Sequence, residues 1–249
     1  MKAIILAAGI SSRLRPLTDN TPKCLLQLGE KSILERTIDN LICNDIEELI
    51  VVTGYLADKI KTFIIVNYPS LKVTFIYNEK YDATNNIYSL WLTKDYIKNT
   101  DILLLDSDIV FDQRIVGLLV DSGPGNYLAV RSDLILGEEE MKVITKEDDR
   151  ITIISKKLDP QLAAGESIGI EKFEAGFVDV LFEKLYNRVV IEGRENDFYE
   201  AAFQDAIDDG QKLFALDVGD FRCIEIDTVE DIENAEKMIA RYIDKTRYL

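Results

Sequence analysis

Apolar residues in the first half of the chain form short runs that alternate with amphipathic segments of helical length. The runs at residues 49–52 and 102–105 are apolar throughout, which is typical of strands covered on both faces. Between Ile33 and Cys43 the apolar positions recur near the helical period, which predicts an amphipathic helix. The pattern predicts strands at Lys2–Ala7, Glu48–Thr53, Lys72–Tyr77 and Asp101–Leu105, and helices at Ile33–Cys43, Ala57–Val66 and Ile87–Ile97.

The alternation of strands and helices predicts an α/β fold with a Rossmann-like, doubly wound and mostly parallel sheet. After about residue 125 the pattern changes to short strands with polar connections, which predicts an antiparallel C-terminal addition. We expect one domain over residues 1–249, with ligands bound beyond the carboxyl ends of the strands. The later part is predicted to contain strands at Tyr127–Arg131, Met141–Thr145 and Ile151–Ser155, and helices at Ala175–Asn187, Tyr199–Asp208 and from about Val229.

Charge is distributed unevenly along the chain. The 249 residues include 29 Lys or Arg and 45 Asp or Glu, for a net charge of −16. Residues 1–80 carry 10 basic and 9 acidic side chains, whereas residues 81–249 carry 19 basic and 36 acidic ones. An anionic ligand therefore meets the least repulsion in the N-terminal third. The overall negative charge argues against nucleic-acid binding, which depends on Lys and Arg neutralising phosphates.

The rarest residue types narrow the chemistry further. The sequence contains no histidine, which excludes Ser-His and Cys-His nucleophile pairs and metal sites built on His ligands. Three cysteines without metal-type spacing favour a reducing, cytoplasmic compartment. The apolar stretch at residues 3–8 is too short to span a bilayer, so we expect no membrane segment. The composition favours a soluble enzyme that uses carboxylates, Lys, Arg and a metal ion.

The loop after the first predicted strand combines small residues with hydroxyls and cations. Small residues at positions 7–9 let the backbone approach a ligand closely. Backbone N–H groups together with Arg and Lys form an anion cradle, for which phosphate is the obvious guest. The spacing matches neither the dinucleotide-binding glycine fingerprint nor a Walker A loop. The polar side chains of this loop are Ser11, Ser12, Arg13, Arg15 and Lys23.

The same stretch resembles the signature of the nucleotidyltransferases that include sugar-phosphate nucleotidylyltransferases and phosphocholine cytidylyltransferases. The resemblance implies a nucleotide-binding part over residues 1–125 and an acceptor-binding part with a closing helix over residues 126–249. It further implies that Leu6, Ala7, Ala8 and Gly9 lie against the nucleotide. Arg13 would clamp the triphosphate, and Lys23 would neutralise the α-phosphate under attack. The matching residues are Leu6-Ala7-Ala8-Gly9-x-x-x-Arg13-Leu14-x-Pro16-Leu17-Thr18 and Pro22-Lys23.

Carboxylates occur at two further predicted strand ends. Asp106 and Asp108 come at the end of the apolar run 102–105, and Asp227 lies in the segment Glu225-Ile226-Asp227-Thr228. From the residues alone, each acid is either a ligand for a hard cation or an ordinary turn or capping residue. The resemblance implies that Asp108 and Asp227 bind Mg²⁺. It also implies that Asp106 belongs with the nucleotide-binding residues, where it orients its neighbours.

The acceptor is expected to bind to residues of the second half. Lys156 resembles the Lys that grips the acceptor phosphate in the sugar-phosphate branch, and Gly169 resembles the Gly of the strand lining that pocket. Lys142 is a second candidate for a phosphate contact. The structural alternative for either lysine is an exposed strand residue. Glu166 and Glu200 complete the predicted acceptor site, and Glu200 is placed to face a cationic or amino group.

Residues 78–90 resemble the phosphocholine cytidylyltransferase branch, which has a similar Asn-x-x-Tyr-Ser-Leu entry to a helix. The structural alternative is that Asn85 or Asn86 simply caps that helix. The functional interpretation is that an Asn, a Ser and backbone groups read the pyrimidine edge and the ribose. We therefore include Asn85, Asn86 and Ser89 among the predicted nucleotide-binding residues.

These features predict a Mg²⁺-dependent cytidylyltransferase that joins CMP from CTP to a small phospho- or phosphono-acceptor and releases pyrophosphate. Phosphocholine, 2-aminoethylphosphonate, a polyol phosphate and an amino-acid phosphate all fit as acceptors. The main alternative is a sugar-1-phosphate nucleotidylyltransferase that uses UTP or dTTP. A non-catalytic nucleotide sensor and a nicotinamide-dependent dehydrogenase are less favoured, since the four predicted key residues are present and the glycine fingerprint is absent. The oligomeric state, including a homodimer, stays open.

Overall fold

The computed structural model describes residues 1–133 and 135–243, which form an α/β arrangement around one large sheet. The strands are β1 (Lys2–Ala7), β2 (Gln27–Leu28), β3 (Lys31–Ser32), β4 (Glu48–Thr53), β5 (Lys72–Tyr77), β6 (Ile102–Asp106), β7 (Ile109–Phe111), β8 (Tyr127–Arg131), β9 (Lys142–Thr145), β10 (Ile151–Ser155), β11 (Gly165–Phe173), β12 (Phe214–Asp217) and β13 (Cys223–Glu225). The helices are α1 (Ile33–Ile42), α2 (Ala57–Asn67), α3 (Asn86–Trp91), α4 (Arg114–Asp121), α5 (Ala175–Tyr186), α6 (Glu200–Asp208) and α7 (Val229–Met238).

The central sheet has the strand order β10-β9-β11-β6-β1-β4-β5, with β8 paired to β11 and β12 paired to β8. Strand β1 runs parallel to both β4 and β6, and β4 runs parallel to β5. Strand β11 is antiparallel to β6, β8 and β9. The predicted fold class, a mostly parallel sheet with an antiparallel C-terminal addition, is therefore confirmed.

The central parallel strands β1, β4 and β6 are buried on both faces. In β1, Ile4 and Leu6 pack into one apolar cluster, whereas Ile5 and Ala7 pack into another. Strand β6 divides its side chains between the same two clusters in the same way. The continuous apolar runs of the sequence therefore mark strands enclosed by both layers, as helix-covered parallel sheets require.

A separate two-stranded ribbon, formed by β7 and β13, connects the C-terminal segment to the end of β6. Glu225 of β13 lies opposite Ile109 of β7, and the backbone N–H of Ile226 donates to the carbonyl of Asp108 at 2.9 Å. The ribbon is antiparallel and holds the Glu225–Asp227 segment beside the loop that follows β6. The carboxylates of Glu225 and Asp227 therefore lie close to that of Asp108, which is about 120 residues earlier in the sequence.

The predicted helix Ile87–Ile97 is wrong in its second half. Helix α3 ends at Trp91, and Lys94–Tyr96 forms a separate helical turn. Thr93 is fully buried, and its hydroxyl donates to the carbonyl of Leu90 at 2.8 Å. A β-branched residue that binds the preceding turn in this way competes with continued helix.

Other differences are smaller. Strand β6 is displaced by one residue from the predicted Asp101–Leu105, so Asp106 ends the strand itself. Strand β7 and helix α4 were not predicted, and the nine-residue strand β11 was expected only around Gly169, without bounds. None of the helices in the two described ranges has both the length and the apolar character needed to cross a membrane.

Candidate active site

A cavity of about 910 Å³ lies beyond the carboxyl ends of β1 and β6. Its wall is shared by the basic loop after β1, the carboxylates after β6 and β13, and residues of β11 and α6. The predicted site residues on this wall are Leu6, Ala7, Ala8, Gly9, Arg13, Lys23, Asn85, Asn86, Ser89, Asp106, Asp108, Lys156, Glu166, Gly169, Glu200 and Asp227. The remaining predicted site residue, Lys142, does not line the cavity.

The basic loop is folded back by contacts within itself. Ser11 has a φ of 54°, and its carbonyl accepts a hydrogen bond from the Thr18 hydroxyl at 2.9 Å. Residues Ser12–Leu14 then form a short helical turn. Arg13 is exposed along most of its side chain, and its Nη1 lies 2.9 Å from Asp227 Oδ2. The loop therefore presents a solvent-accessible cation at the rim of the cavity.

Lys23 lies between two carboxylates. Its Nζ donates to Asp108 Oδ2 at 2.8 Å and to Asp227 Oδ1 at 2.7 Å. The residue is only 8% exposed. Burial works against its charged form, but the two carboxylates outweigh burial and raise the pKa of Lys23 above its usual value. Lys23 is therefore a permanent cation held at the base of the cavity.

A third carboxylate, Glu225, belongs to the same cluster. Oxygen atoms of Asp108, Glu225 and Asp227 all lie within 4.8 Å of one another. Burial, followed by repulsion from Asp108 and Asp227, raises the pKa of Glu225 to about 7. An all-oxygen donor set with surplus negative charge suits a hard divalent cation such as Mg²⁺. The residues present therefore fit the predicted metal, and Glu225 joins the two predicted ligands as a candidate.

The start of helix α7 fixes the position of Asp227. Thr228 caps the helix, since its hydroxyl accepts from the N–H of Asp231 at 3.2 Å, and the Asp231 carboxylate accepts from the N–H of Thr228 at 2.7 Å. The same carboxylate accepts from the N–H of Asp227 at 3.0 Å. This reciprocal capping leaves the Asp227 side chain free to face Lys23 and Arg13. Burial opposes its charge, but Lys23 and then Arg13 lower the pKa of Asp227.

Asp106 lies deeper than the metal-type carboxylates. It accepts a hydrogen bond from the Tyr199 hydroxyl at 2.9 Å. Burial, Asp108 and Glu200 raise the pKa of Asp106 well above its usual range. Gly169 has a φ of 72°, and a Cβ there would lie 2.7 Å from Asp106 Oδ2, so only glycine allows this approach of β11.

Behind Asp106 lie two buried residues that are not among the predicted site residues. Tyr199 and Glu171 are both fully buried, and burial raises the pKa of the Glu171 carboxyl well above its usual range. Asp106 and Glu200 add to that rise, and the nearby Tyr199 hydroxyl offsets only part of it. No signal in the sequence of β11, GESIGIEKF, singled out Glu171, because other polar and charged residues occur in the same strand.

The predicted nucleotide-side residues connect the two halves of the cavity wall. Asn85 caps α3 by accepting from the N–H of Asn86 at 2.8 Å, as the structural alternative predicted. Asn86 Oδ1 accepts from the N–H of Tyr199 at 2.9 Å, and the N–H of Asn85 donates to the carbonyl of Glu195 at 2.9 Å. Ser89 Oγ accepts from the Asn78 side chain at 3.1 Å. The loop before α3 is therefore anchored to the segment before α6.

The acceptor-side predictions divide into two groups. Glu166, Gly169, Glu200 and Lys156 line the cavity, and Lys156 Nζ lies 4.6 Å from the centre of the Phe198 ring. Burial and repulsion from Glu140 raise the pKa of Glu166 to about 7, and the nearby basic side chains offset only part of this rise.

Lys142 occupies a different position from the other acceptor-side candidates. It is fully buried, and its Nζ donates to the carbonyls of Gly137, Glu138 and Glu140 at 3.0, 3.2 and 2.9 Å. These three bonds use the donors of the ammonium group, which leaves none for a phosphate in this arrangement. Lys142 therefore supports the 137–140 segment, neither lining the cavity nor lying exposed on its strand.

Known proteins share both the sequence motifs and the fold. Residues 2–122 match the family model described as nucleotidyl transferase. A choline-phosphate cytidylyltransferase of Streptococcus pneumoniae is 40% identical over 109 residues, which cover 43% of this chain and 45% of that protein. The matched region thus spans about half the length of that relative.

Two further matches span nearly the whole chain. A CTP:phosphoglutamine cytidylyltransferase of Campylobacter jejuni is 29% identical, over 94% of this chain and 98% of that protein. The solved structure of a CTP:phosphocholine cytidylyltransferase from Streptococcus pneumoniae has a TM-score of 0.80 and 25% identity, covering 96% of this chain and 98% of that chain. The predicted resemblance is confirmed: residues 2–122 match the nucleotidyl transferase model, and the relatives that the chain is similar to include cytidylyltransferases.

Proposed function

We propose that the protein is a Mg²⁺-dependent cytidylyltransferase that transfers CMP from CTP to a small phosphorylated or phosphono acceptor. The observation that carries this proposal is the position of Lys23 between Asp108 and Asp227, beside the basic loop after β1. The relatives support CTP as the nucleotide, since they include cytidylyltransferases for choline phosphate and phosphoglutamine.

The proposed reaction is an in-line displacement at the α-phosphorus of CTP. An oxygen of the acceptor phosphate or phosphonate forms a bond to the α-phosphorus. The bond from that phosphorus to the oxygen bridging to the β-phosphate breaks, and its electron pair leaves with pyrophosphate. Because the attacking oxygen is already anionic, no general base is required, which suits a chain without histidine.

The protein contributes positioning and charge neutralisation. Arg13 at the rim binds the outer phosphates, and the buried Lys23 stabilises the charge that develops on the α-phosphate. Lys156 holds the acceptor phosphate in line for attack. Preorganised cations in a partly desolvated cavity are effective because they need little reorganisation during the reaction.

The carboxylates of Asp108, Glu225 and Asp227 would hold the divalent metal. When bound there, Mg²⁺ supplies further neutralisation of phosphate charge and helps to orient the triphosphate. Lys23 is hydrogen-bonded to two of these three carboxylates, so metal binding and Lys23 position are expected to depend on each other.

The test is pyrophosphate release measured for each of four nucleoside triphosphates against a panel of phospho- and phosphono-acceptors, with and without Mg²⁺. The proposal predicts release that requires CTP, Mg²⁺ and an acceptor together. A preference for UTP or dTTP with a sugar 1-phosphate would replace it with the alternative nucleotidylyltransferase. Absence of release with every combination, from folded protein, would refute catalysis of this type.

A further inference from the structure

The acceptor side of the cavity contains a buried carboxyl group with one oxygen that accepts no hydrogen bond from any described residue. Glu200, the first residue of α6, lines the cavity although only 7% of it is exposed. Its Oε2 has no hydrogen-bond partner among the residues that the structure describes. Leaving a buried acceptor unpaired is costly, and the cost is removed when a donor reaches it. The unpaired oxygen therefore points to a ligand that carries hydrogen-bond donors.

The surroundings of Glu200 also favour positive charge. Phe198, two residues earlier, accepts the Lys156 ammonium on its ring face at 4.6 Å. Lys156 also interacts electrostatically with Glu200. An aromatic face and a carboxylate on one wall both attract a cation. The donor on the ligand is therefore expected to be charged.

The same wall offers little to a fully methylated ammonium. Among the described residues that line the cavity, the aromatic side chains are Phe198 and Tyr81. Tyr81 lies on the nucleotide side, where it packs against Gly54 at the end of β4 and contacts the rings of Tyr55 and Tyr77. Quaternary ammonium groups are recognised by cages of several aromatic faces. On the acceptor side a single ring, Phe198, is available beside carboxylates.

We infer that the acceptor carries an ammonium group with N–H donors, which binds Glu200 beside Phe198, and that Glu200 thereby selects against trimethylammonium acceptors. The inference rests on the proposed function, since it concerns the acceptor of that reaction. Its physical basis is that a site built to receive hydrogen bonds rejects an analogue that lacks the donors. Lys156 is then released to bind the acceptor phosphate.

An N-methylation series at constant charge provides the test. Phosphoethanolamine and its mono-, di- and trimethyl derivatives each carry one positive charge but present three, two, one and no N–H donors. With CTP and Mg²⁺, we expect kcat/KM to fall along the series, by about tenfold or more between the first and last members. Equal or better use of phosphocholine, the trimethyl member, would overturn the inference.

Substitution of Glu200, with a control at another carboxylate, tests whether Glu200 is responsible for the selection among acceptors. Glu200→Gln should lower kcat/KM for phosphoethanolamine far more than for phosphocholine, so that kcat/KM differs less between the members of the series. Asp179→Asn removes one exposed carboxylate on α5 and should leave the series unchanged. If the folded Glu200→Gln variant shows the same dependence of kcat/KM on N-methylation as the wild type, another residue selects the acceptor, which contradicts the role of Glu200.

Calorimetry separates this inference from the proposed function. If CTP is turned over with other acceptors but not along the predicted series, the inference fails and the function stands. If no acceptor supports turnover, the function fails, and titration of phosphoethanolamine and phosphocholine into the protein alone decides the inference. Tighter binding of phosphoethanolamine, lost in Glu200→Gln, supports the inference; equal binding or a preference for phosphocholine overturns it.

Discussion

Lys23 is the residue on which the proposed chemistry depends most directly. Its ammonium makes hydrogen bonds of 2.8 and 2.7 Å to Asp108 and Asp227, and it is the cation at the base of the cavity. Lys23→Ala should lower turnover about 100- to 1,000-fold, the loss typical of removing one preorganised group that stabilises transition-state charge. Steady-state pyrophosphate release measures this effect.

The matched control is Lys98→Ala, which removes an exposed lysine outside the cavity lining. It should retain wild-type turnover and the same circular-dichroism spectrum. A folded Lys23→Ala variant as active as Lys98→Ala would remove Lys23 from the mechanism.

The buried carboxyl group of Glu171 leads to a prediction about how stability depends on pH. Burial raises the pKa of its carboxyl well above its usual value, so the folded protein holds a proton there that the unfolded chain loses above about pH 4.3. The folded state binds the proton more tightly, so this group destabilises the fold as pH rises above that value, by up to about 1.4 kcal/mol per pH unit.

Glu171→Gln removes that titration while keeping the shape of the protonated acid. We expect the variant to match the wild type near pH 4 and to exceed its free energy of unfolding increasingly as the pH rises above the ordinary Glu value towards the raised pKa of the folded state. Urea unfolding at several pH values measures the difference. A stability difference that is independent of pH would mean that Glu171 is charged in the folded protein.

At the level of elements, strand β11 lies close to the carboxylate of Asp106 at the end of β6. Gly169 has a φ of 72°, and its missing side chain makes room for Asp106. Gly169→Ala should cost about 1–3 kcal/mol in stability through backbone strain and should also lower kcat, because the new Cβ would push on Asp106. Gly176→Ala is the control, since a Cβ at that helical position meets nothing within 4 Å.

Thermal unfolding and kcat together decide this prediction. Gly176→Ala should be neutral or slightly stabilising, because alanine has less conformational freedom to lose than glycine. If Gly169→Ala is as stable and active as Gly176→Ala, the close approach of β11 to Asp106 contributes to neither stability nor activity, and the prediction is wrong.

The elements also show what the sequence could predict. Lys2–Ala7 and Lys72–Tyr77 match the observed strands because local apolar patterns define them. The end of α3 was missed because it depends on Thr93 binding Leu90 within a buried turn. Lys142 was misjudged because its three backbone partners lie in an irregular segment whose path no periodicity reveals.

In the whole molecule, the site is assembled from parts distant in sequence. Lys23 and Asp227 are 204 residues apart, and Tyr199 and Asp106 are 93 residues apart. The resemblance located the first pair, since Lys23 belongs to the motif after the first strand and Asp227 to the segment Ile226-Asp227-Thr228. Tyr199 and Glu171 belong to no motif, so their position beside Asp106 follows only from the folded chain, in which β11 pairs with β6 and the Tyr199 hydroxyl donates to Asp106.

The charge asymmetry of the chain also acts at this scale. The near-neutral first 80 residues supply the cations Arg13 and Lys23, whereas the acidic remainder supplies Glu200, Glu225 and Asp227. Cations and carboxylates are therefore interleaved where the triphosphate and the metal are expected, and Glu200 adds a carboxylate where an ammonium group is expected.

The most direct test of the central claim is ³¹P NMR of a reaction containing the protein, CTP, Mg²⁺ and phosphoethanolamine. The account predicts that pyrophosphate and a new diphosphate diester appear in equal amounts and that Asp108→Asn abolishes both. Formation of inorganic phosphate and CDP, or of pyrophosphate and free CMP without the acceptor being consumed, would show hydrolysis and contradict the account.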